Sequence, residues 1–146
     1  MTRADAIRDL EHEVGVLIRR VRRVIGVRAR EVHESLQPAS YLILAYVNSS
    51  GPVRASSIAE VFDIDKGAIS RQVSHLIELG LVERTPDPDD GRATLLSVTD
   101  EGARRMSDVA EHRRKWLGEQ LGDWSERELT DFVRQLSRYN STLSDS

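Results

Sequence analysis

The sequence predicts a mainly α-helical fold with six helices and one small β-hairpin. Three observations predict it. Apolar residues recur at helical spacing near both ends of the chain. Two short helical segments separated by a tight turn lie between those ends. Two strand-like runs, 81–85 and 93–98, then flank a segment rich in Pro, Asp and Gly. Two short helices followed by a hairpin are typical of a winged helix-turn-helix, with the hairpin as the wing.

Composition and charge limit the class of protein. The chain has 146 residues, which suits one domain, and 39% are hydrophobic, enough for a core. It has no cysteine, which excludes disulfides, thiolate zinc sites and cysteine redox chemistry. The net charge of −3 implies that any nucleic-acid binding depends on a local basic patch. With no long apolar run and no secretory signal, we expect a cytoplasmic protein without membrane contact.

The first two helices follow from apolar spacing and from helix-breaking residues. An apolar seam with steps of three and four predicts a long helix over about 5–34, formed by Ile7, Leu10, Val14, Leu17, Val21 and Val24. Pro38 suits the first turn of a second helix. Residues 41–47 are apolar nearly all round, which indicates a buried helix, and Gly51 and Pro52 end it.

The third and fourth helices form the predicted helix-turn-helix. Apolar residues at 58–62 predict a short third helix, and residues 63–65 predict a turn. The fourth helix is expected to begin at Asp65 or Lys66 and to end at Gly80. Its apolar face contains Ile69, Val73, Leu76 and Ile77.

Two further helices are expected after the hairpin. Thr99 is the predicted N-cap of the fifth helix. Ser125 and Glu128 have the spacing of a capping box that opens the sixth. A second apolar seam follows, formed by Leu129, Phe132, Leu136, Tyr139 and Leu143. The two seams either form an intramolecular core or join two copies of the chain. We favour a dimer, because a single copy would leave much apolar surface bare.

The fourth helix has the properties of a DNA-reading helix. The N-terminal residues of such a helix lie near the base edges of the major groove. Gly67 and Ala68 are small enough for close approach. Arg71 suits a guanine edge or a phosphate, and Lys66 suits a phosphate. Ser74, His75 and Glu78 share the face opposite the apolar one, with Ser70 at its edge. This helix is therefore a candidate DNA-binding element.

The charged residues of the hairpin loop are acidic except for one. It contains Asp87, Asp89 and Asp90, and ends in Arg92. An arginine at a hairpin tip can enter a narrow minor groove, where the negative potential is strongest. Arg92 is therefore a second candidate DNA contact, and a nearby carboxylate could fix its direction.

At these residues the chain resembles the MarR family of bacterial transcription regulators. The resemblance covers nearly the whole chain, and its strength lies in the order and spacing of several short motifs. They are Ser57–Glu60, Lys66–Arg71, Leu79–Arg84, Asp87–Arg92 and Leu96–Gly102.

The resemblance implies a homodimer on a pseudo-palindromic DNA operator, acting as a repressor that a small aromatic or anionic effector releases. It implies one domain, 1–146, with dimerisation helices at 5–35 and 100–144 and a DNA-binding lobe at 38–98. Asp90 would orient the guanidinium of Arg92. The expected DNA contacts are Arg54, Ser56, Ser57, Lys66, Gly67, Ala68, Ser70, Arg71, Ser74, His75 and Arg92.

The sequence departs from the family pattern at two positions. Asp89 stands where many relatives carry arginine, which removes a phosphate contact from the wing. Arg54 stands where relatives often have a threonine cap. Its side chain cannot cap the third helix, although it could reach a phosphate.

Several other residues have two interpretations each. Tyr41, Tyr46 and Trp116 could line an effector pocket, but core packing explains them equally well. The arginine-rich run 19–23 reads most simply as solvated helix surface, with an anion-binding role as the alternative. His33 and His112 lack convincing metal spacing, so no metal is expected.

Two other function classes have their own sequence signatures. An enzyme is disfavoured because the chain has no nucleophile elbow, phosphate-binding glycine loop or zinc-protease motif. No catalytic residue and no cofactor are therefore expected. A winged-helix module that binds protein, without specific DNA binding, is the remaining alternative. The acidic net charge and the acidic wing are what support it.

Overall fold

The computed structural model of the chain, which describes residues 1–144, confirms the fold class. In that range there are six helices and one three-stranded antiparallel sheet with the strand order β1-β3-β2. The elements are α1 (Arg3–Val32), α2 (Pro38–Ser50), β1 (Val53–Arg54), α3 (Ala55–Phe62), α4 (Lys66–Glu78), β2 (Val82–Pro86), β3 (Thr94–Val98), α5 (Asp100–Gln120) and α6 (Glu126–Leu143). Strand β1, which pairs with β3, was not predicted.

Local capping sets the helix starts. Thr2 and Asp5 form a reciprocal capping box, so α1 begins at Arg3, slightly earlier than predicted. Helix α4 begins at Lys66, because the Asp65 carboxylate accepts a hydrogen bond of 3.2 Å from the backbone N–H of Ala68. The residue that ends α3, Asp63, has left-handed backbone geometry with φ 49°. This turn separates the two helices of the helix-turn-helix.

The chain divides into two compact units. The first, Met1–Val109, holds a core built from the end of α1, from α2, α3 and α4, and from the sheet. The predicted apolar face of α4 is buried there at Ile69, Val73 and Leu76. Along α1, by contrast, much of the predicted seam is exposed, with Leu10 at 45% and Leu17 at 50%.

The second unit begins at Ala110 and, within the described residues, contains the rest of α5 and α6. The predicted capping box at Ser125 and Glu128 is confirmed. Trp124 packs edge to face on Phe132, with ring centroids 5.8 Å apart. Helix α6 has no buried residue, and Phe132 and Val133 are 52% and 64% exposed. Within residues 1–144, no helix is long and apolar enough to cross a membrane.

The start of α5 lies directly on the turn between α4 and β2. The Thr99 hydroxyl donates a 2.7 Å bond to the Gly80 carbonyl and accepts a 3.0 Å bond from the Gly102 N–H, which confirms Thr99 as the N-cap. A Cβ on Gly102 would lie inside van der Waals contact of the Leu81 carbonyl oxygen and 2.8 Å from Cγ2 of Val98. Only a residue without a side chain fits here.

We expect Glu101, in the first turn of α5, to contribute to stability in a pH-dependent way. Hydrogen bonds from Arg104 and then Arg105 lower the pKa of its carboxyl from 4.5 to about 2. A group with a lowered folded-state pKa stabilises the protein above its unfolded pKa. That contribution is lost as the pH falls from 4.5 towards 2. Melting temperatures across this range should therefore fall less steeply for Glu101→Gln than for the wild type.

Glu111→Gln is the matched control for this measurement, since it removes an exposed carboxylate from the same helix. The carboxylate of Glu101 is itself partly solvated, so the expected difference is small. If the melting temperatures of Glu101→Gln and the wild type fall equally steeply with decreasing pH, the proposed stabilising role of the Glu101 carboxylate is contradicted.

Candidate nucleic-acid interface

The solvent-facing side of α4 carries the polar residues predicted for DNA contact. Lys66, Gly67, Ser70, Arg71 and Ser74 are exposed, and Ala68 is half-buried. The burial of the opposite, apolar side against the core leaves this side open. The structure thus places these five residues on one continuous, accessible helix face.

The guanidinium of Arg71 lies over the first turn of this helix. A Cβ on Gly67 would be 3.6 Å from Nη1 of Arg71 and 2.9 Å from the capping Asp65 carboxylate. Glycine at 67 therefore leaves space for both side chains. The positive charge of Arg71 is presented beside the N-terminus of α4, the end that favours anions.

A cleft of about 250 Å³ lies beside this face. Of the residues predicted to bind DNA, Ser56, Lys66 and Ser70 line it, whereas Ser57 is half-buried on α3. Arg84 and Thr94 also line the cleft, and sequence reasoning did not select them. The positions of these two residues on paired strands could have indicated that they lie together. Arg84 on β2 pairs with Leu96 on β3, and Thr94 is two residues from Leu96 on that strand.

Arg54 makes an ion pair that the sequence did not indicate. Its Nε and Nη2 atoms donate bonds of 2.9 and 2.6 Å to one oxygen of Asp87. Asp87 is only 6% exposed, and its other oxygen accepts a 2.9 Å bond from the Asp89 N–H. That backbone bond and the Arg54 guanidinium lower the pKa of the Asp87 carboxyl. Arg54 therefore ties the root of the wing to the start of α3, where the sequence suggested a phosphate contact.

We expect Asp87→Ala to lower the melting temperature by several degrees, because it leaves Arg54 and the Asp89 N–H without their acceptor. It should also increase backbone mobility in the wing, measured by hydrogen exchange of Ala93 and its neighbours. Asp89→Ala is the matched control, since Asp89 is an exposed acid in the same loop. Equal melting temperatures for the two variants would contradict the proposed role of Asp87.

The wing tip is shaped by Asp90 and presents Arg92 to solvent. The Asp90 carboxylate accepts a 3.1 Å bond from the Arg92 backbone N–H, and its carbonyl accepts one of 3.0 Å from Ala93. The predicted role was to orient the Arg92 guanidinium, but the contact that Asp90 makes is with the backbone. Asp90 thus fixes the turn from which the exposed Arg92 side chain extends.

His75 lies on the flank of α4 and not on its open face. Its Nε2 is 3.0 Å from the carbonyl oxygen of Ser35, in the link between α1 and α2. The Nε2 atom of His75 thus already has a partner within the chain, and a DNA contact by this residue stays a prediction. Helical spacing alone could not show that a neighbouring loop covers this flank.

The residues suggested for an effector pocket differ in their exposure to solvent. Tyr41 is buried in the core, and Tyr46 packs edge to face on Phe62 with centroids 5.8 Å apart. Trp116 belongs to the second unit and is 55% exposed. Core packing therefore accounts for both tyrosines. Among residues 1–144, no group of three His, Asp or Glu side chains could hold a metal ion.

Comparison with known proteins identifies the family. Residues 34–93 match the sequence profile of the MarR family. The HTH-type transcriptional regulator YxaD of Bacillus subtilis is 31% identical over 136 residues, covering 93% of this chain and 94% of YxaD. The chain belongs to the MarR family. It is accordingly a transcriptional regulator, and the resemblance inferred from its motifs is confirmed.

Solved structures, MarR of Escherichia coli among them, share the fold. The Rv1404 protein of Mycobacterium tuberculosis superposes with a TM-score of 0.77 at 22% identity, covering 97% of this chain and 94% of that one. A mutant of Escherichia coli MarR complexed with operator DNA gives a TM-score of 0.67 at 18% identity, covering 95% and 99%. The match to the MarR fold thus extends beyond the helix-turn-helix to nearly the whole chain.

Proposed function

We propose that this MarR-family regulator binds double-stranded DNA sequence-specifically, as a homodimer on a pseudo-palindromic operator. The observation that carries the proposal is the open face of α4, where Arg71 and Lys66 project from a helix whose other side is buried. The N-terminal part of this helix would read the major groove. The exposed Arg92 at the wing tip would enter the adjacent minor groove.

Exposed apolar surface supports the dimer. Several apolar positions of α1 stay open to solvent, among them Ile7 at 42% and Val21 at 41%. Surfaces of this kind commonly mark an interface with another chain. We assign 5–35 and 100–144 to dimerisation and 38–98 to DNA binding. A two-fold dimer would place its two reading helices about one DNA turn apart.

We further propose that the protein is a cytoplasmic repressor with no enzymatic activity. A small aromatic or anionic effector would release it by changing the spacing of the two reading helices. The repressor role and the effector follow from the family resemblance. Effector release would be seen as a loss of DNA affinity at equal protein concentration.

Fluorescence anisotropy on the DNA just upstream of the gene encoding the protein tests the proposal. Affinity should exceed that for a scrambled duplex. It should also fall steeply with salt, because each neutralised phosphate releases counterions; six to ten contacts would cost roughly 10³–10⁵ in affinity between 50 and 200 mM salt. Weak, salt-insensitive binding to both duplexes would favour a protein-interaction module, for which the exposed acids Asp89 and Asp90 provide a surface.

A further inference from the structure

The link between α1 and α2 is bonded to two histidines through a single residue, Ser35. The Ser35 N–H donates a 3.0 Å bond to Nδ1 of His33, at the end of α1. The Ser35 carbonyl accepts a 3.0 Å bond from Nε2 of His75, which lies on α4. Leu36, the next residue, is buried, so the link is fixed to the core immediately beside these bonds.

The chemistry of these bonds fixes where the hydrogens lie. A carbonyl oxygen can only accept, so Nε2 of His75 must carry a hydrogen. The Ser35 N–H can only donate, so Nδ1 of His33 must present a lone pair. His75 is therefore the donor that joins the fourth helix to the link.

A second contact fixes the same flank of α4. Gln72, three residues before His75, accepts a hydrogen bond from the Ser40 hydroxyl in the first turn of α2. Residues three apart lie on one side of a helix, so both bonds restrain the same flank. The link is held from α5 as well, since Nη1 of Arg105 donates a 2.9 Å bond to the Val32 carbonyl at the end of α1.

We propose that His75 is a positioning residue, which sets the rotation of the fourth helix about its own axis and so the direction of its DNA-reading face. This inference rests on the proposed DNA-binding function. Ser70, Arg71 and Ser74 are exposed on that face, while Gln72 and His75 bind the α1–α2 segment. A small rotation of α4 would move all of its base contacts at once. The His75–Ser35 bond, although remote from the DNA, therefore affects the affinity for DNA.

Hydrogen exchange tests the restraint without DNA. His75→Ala should accelerate exchange of the Ser35 and Leu36 amides and of the last turn of α4. His75→Gln should keep exchange near the wild-type rate, since its side-chain amide can donate to the same carbonyl. Ser74→Ala is the control for this measurement, because Ser74 is the neighbouring exposed residue. Unchanged exchange in His75→Ala would overturn the proposal.

Binding to the operator at several salt concentrations then separates positioning from direct contact. His75→Ala should weaken binding about fivefold, as expected for one lost hydrogen bond, with the salt slope unchanged. His75→Gln should recover most of the affinity. A cationic side chain that contacts phosphate would instead lower the slope by about one per contact, in both variants. That result would overturn the positioning role.

Failure of the two proposals can be distinguished. If the wild-type protein does not select the operator over a scrambled duplex, the proposed DNA-binding function fails and the positioning role fails with it. If the wild type is selective but His75→Ala binds equally well, the positioning role alone fails.

Discussion

Replacing Gly102 with alanine is expected to lower the free energy of unfolding by about 3 kcal/mol, the upper part of the range for overpacking. The added Cβ would overlap the Leu81 carbonyl oxygen and crowd Cγ2 of Val98. The Leu81 oxygen is backbone and already accepts a 3.0 Å bond from Thr99, so it has little freedom to move. Thermal unfolding should show a decrease in melting temperature of roughly 10 °C.

Gly118→Ala is the matched control, made in the same helix. No heavy atom lies within 4 Å of a Cβ at this exposed position. Alanine should therefore stabilise the helix by up to about 1 kcal/mol through its higher propensity. Both variants must be measured at one protein concentration, because the stability of the proposed dimer depends on it. A Gly102→Ala protein as stable as the wild type would show that α5 does not approach Leu81 so closely.

Arg71→Ala is expected to weaken operator binding more than tenfold, because a guanidinium contact to a guanine edge or phosphate contributes about 1–3 kcal/mol. Each homodimer would lose two such contacts. Anisotropy titrations against operator and scrambled duplexes measure the loss. A base contact would lower selectivity, whereas a phosphate contact would lower affinity for both duplexes and reduce the salt slope.

Arg92→Ala should also weaken binding, chiefly on operators with A·T-rich flanks, where a narrow minor groove attracts arginine. Arg127→Ala, which removes an exposed helix arginine from α6, is the control for the change in net charge. Sedimentation should show the same dimer for all three variants. Full affinity in both Arg71→Ala and Arg92→Ala would contradict the proposed DNA-binding surface.

Features fixed by residues close in sequence were predictable. The N-caps at Thr99 and Ser125 were predicted and are confirmed. Each uses a side-chain oxygen and a backbone N–H three residues later, so the whole interaction is visible in a short stretch of sequence. The open face of α4 was predictable for a related reason, because helical periodicity separates it from the apolar side.

Features that depend on distant residues were not predictable in this way. Strand β1 has two residues and exists through its pairing with β3. The Arg54–Asp87 ion pair joins residues 33 apart, and the His75–Ser35 bond joins residues 40 apart. Both side chains had been assigned to DNA from charge or helix face alone. Nothing local indicates which charged or polar side chain already has a partner within the chain.

The Arg54–Asp87 pair has a consequence for the entropy of DNA recognition. The root of the wing is fixed in the free protein, since Asp87 is buried and bonded on both oxygens. What is left to immobilise on binding is chiefly the exposed Arg92 side chain, because Asp90 also fixes the turn that precedes it. Ordering the backbone of one residue costs about 1–2 kcal/mol in conformational entropy. Because the wing is already fixed up to Asp87, most of this entropy cost is not incurred when DNA binds. The separation between the reading helix and the wing arginine is then largely set before DNA arrives.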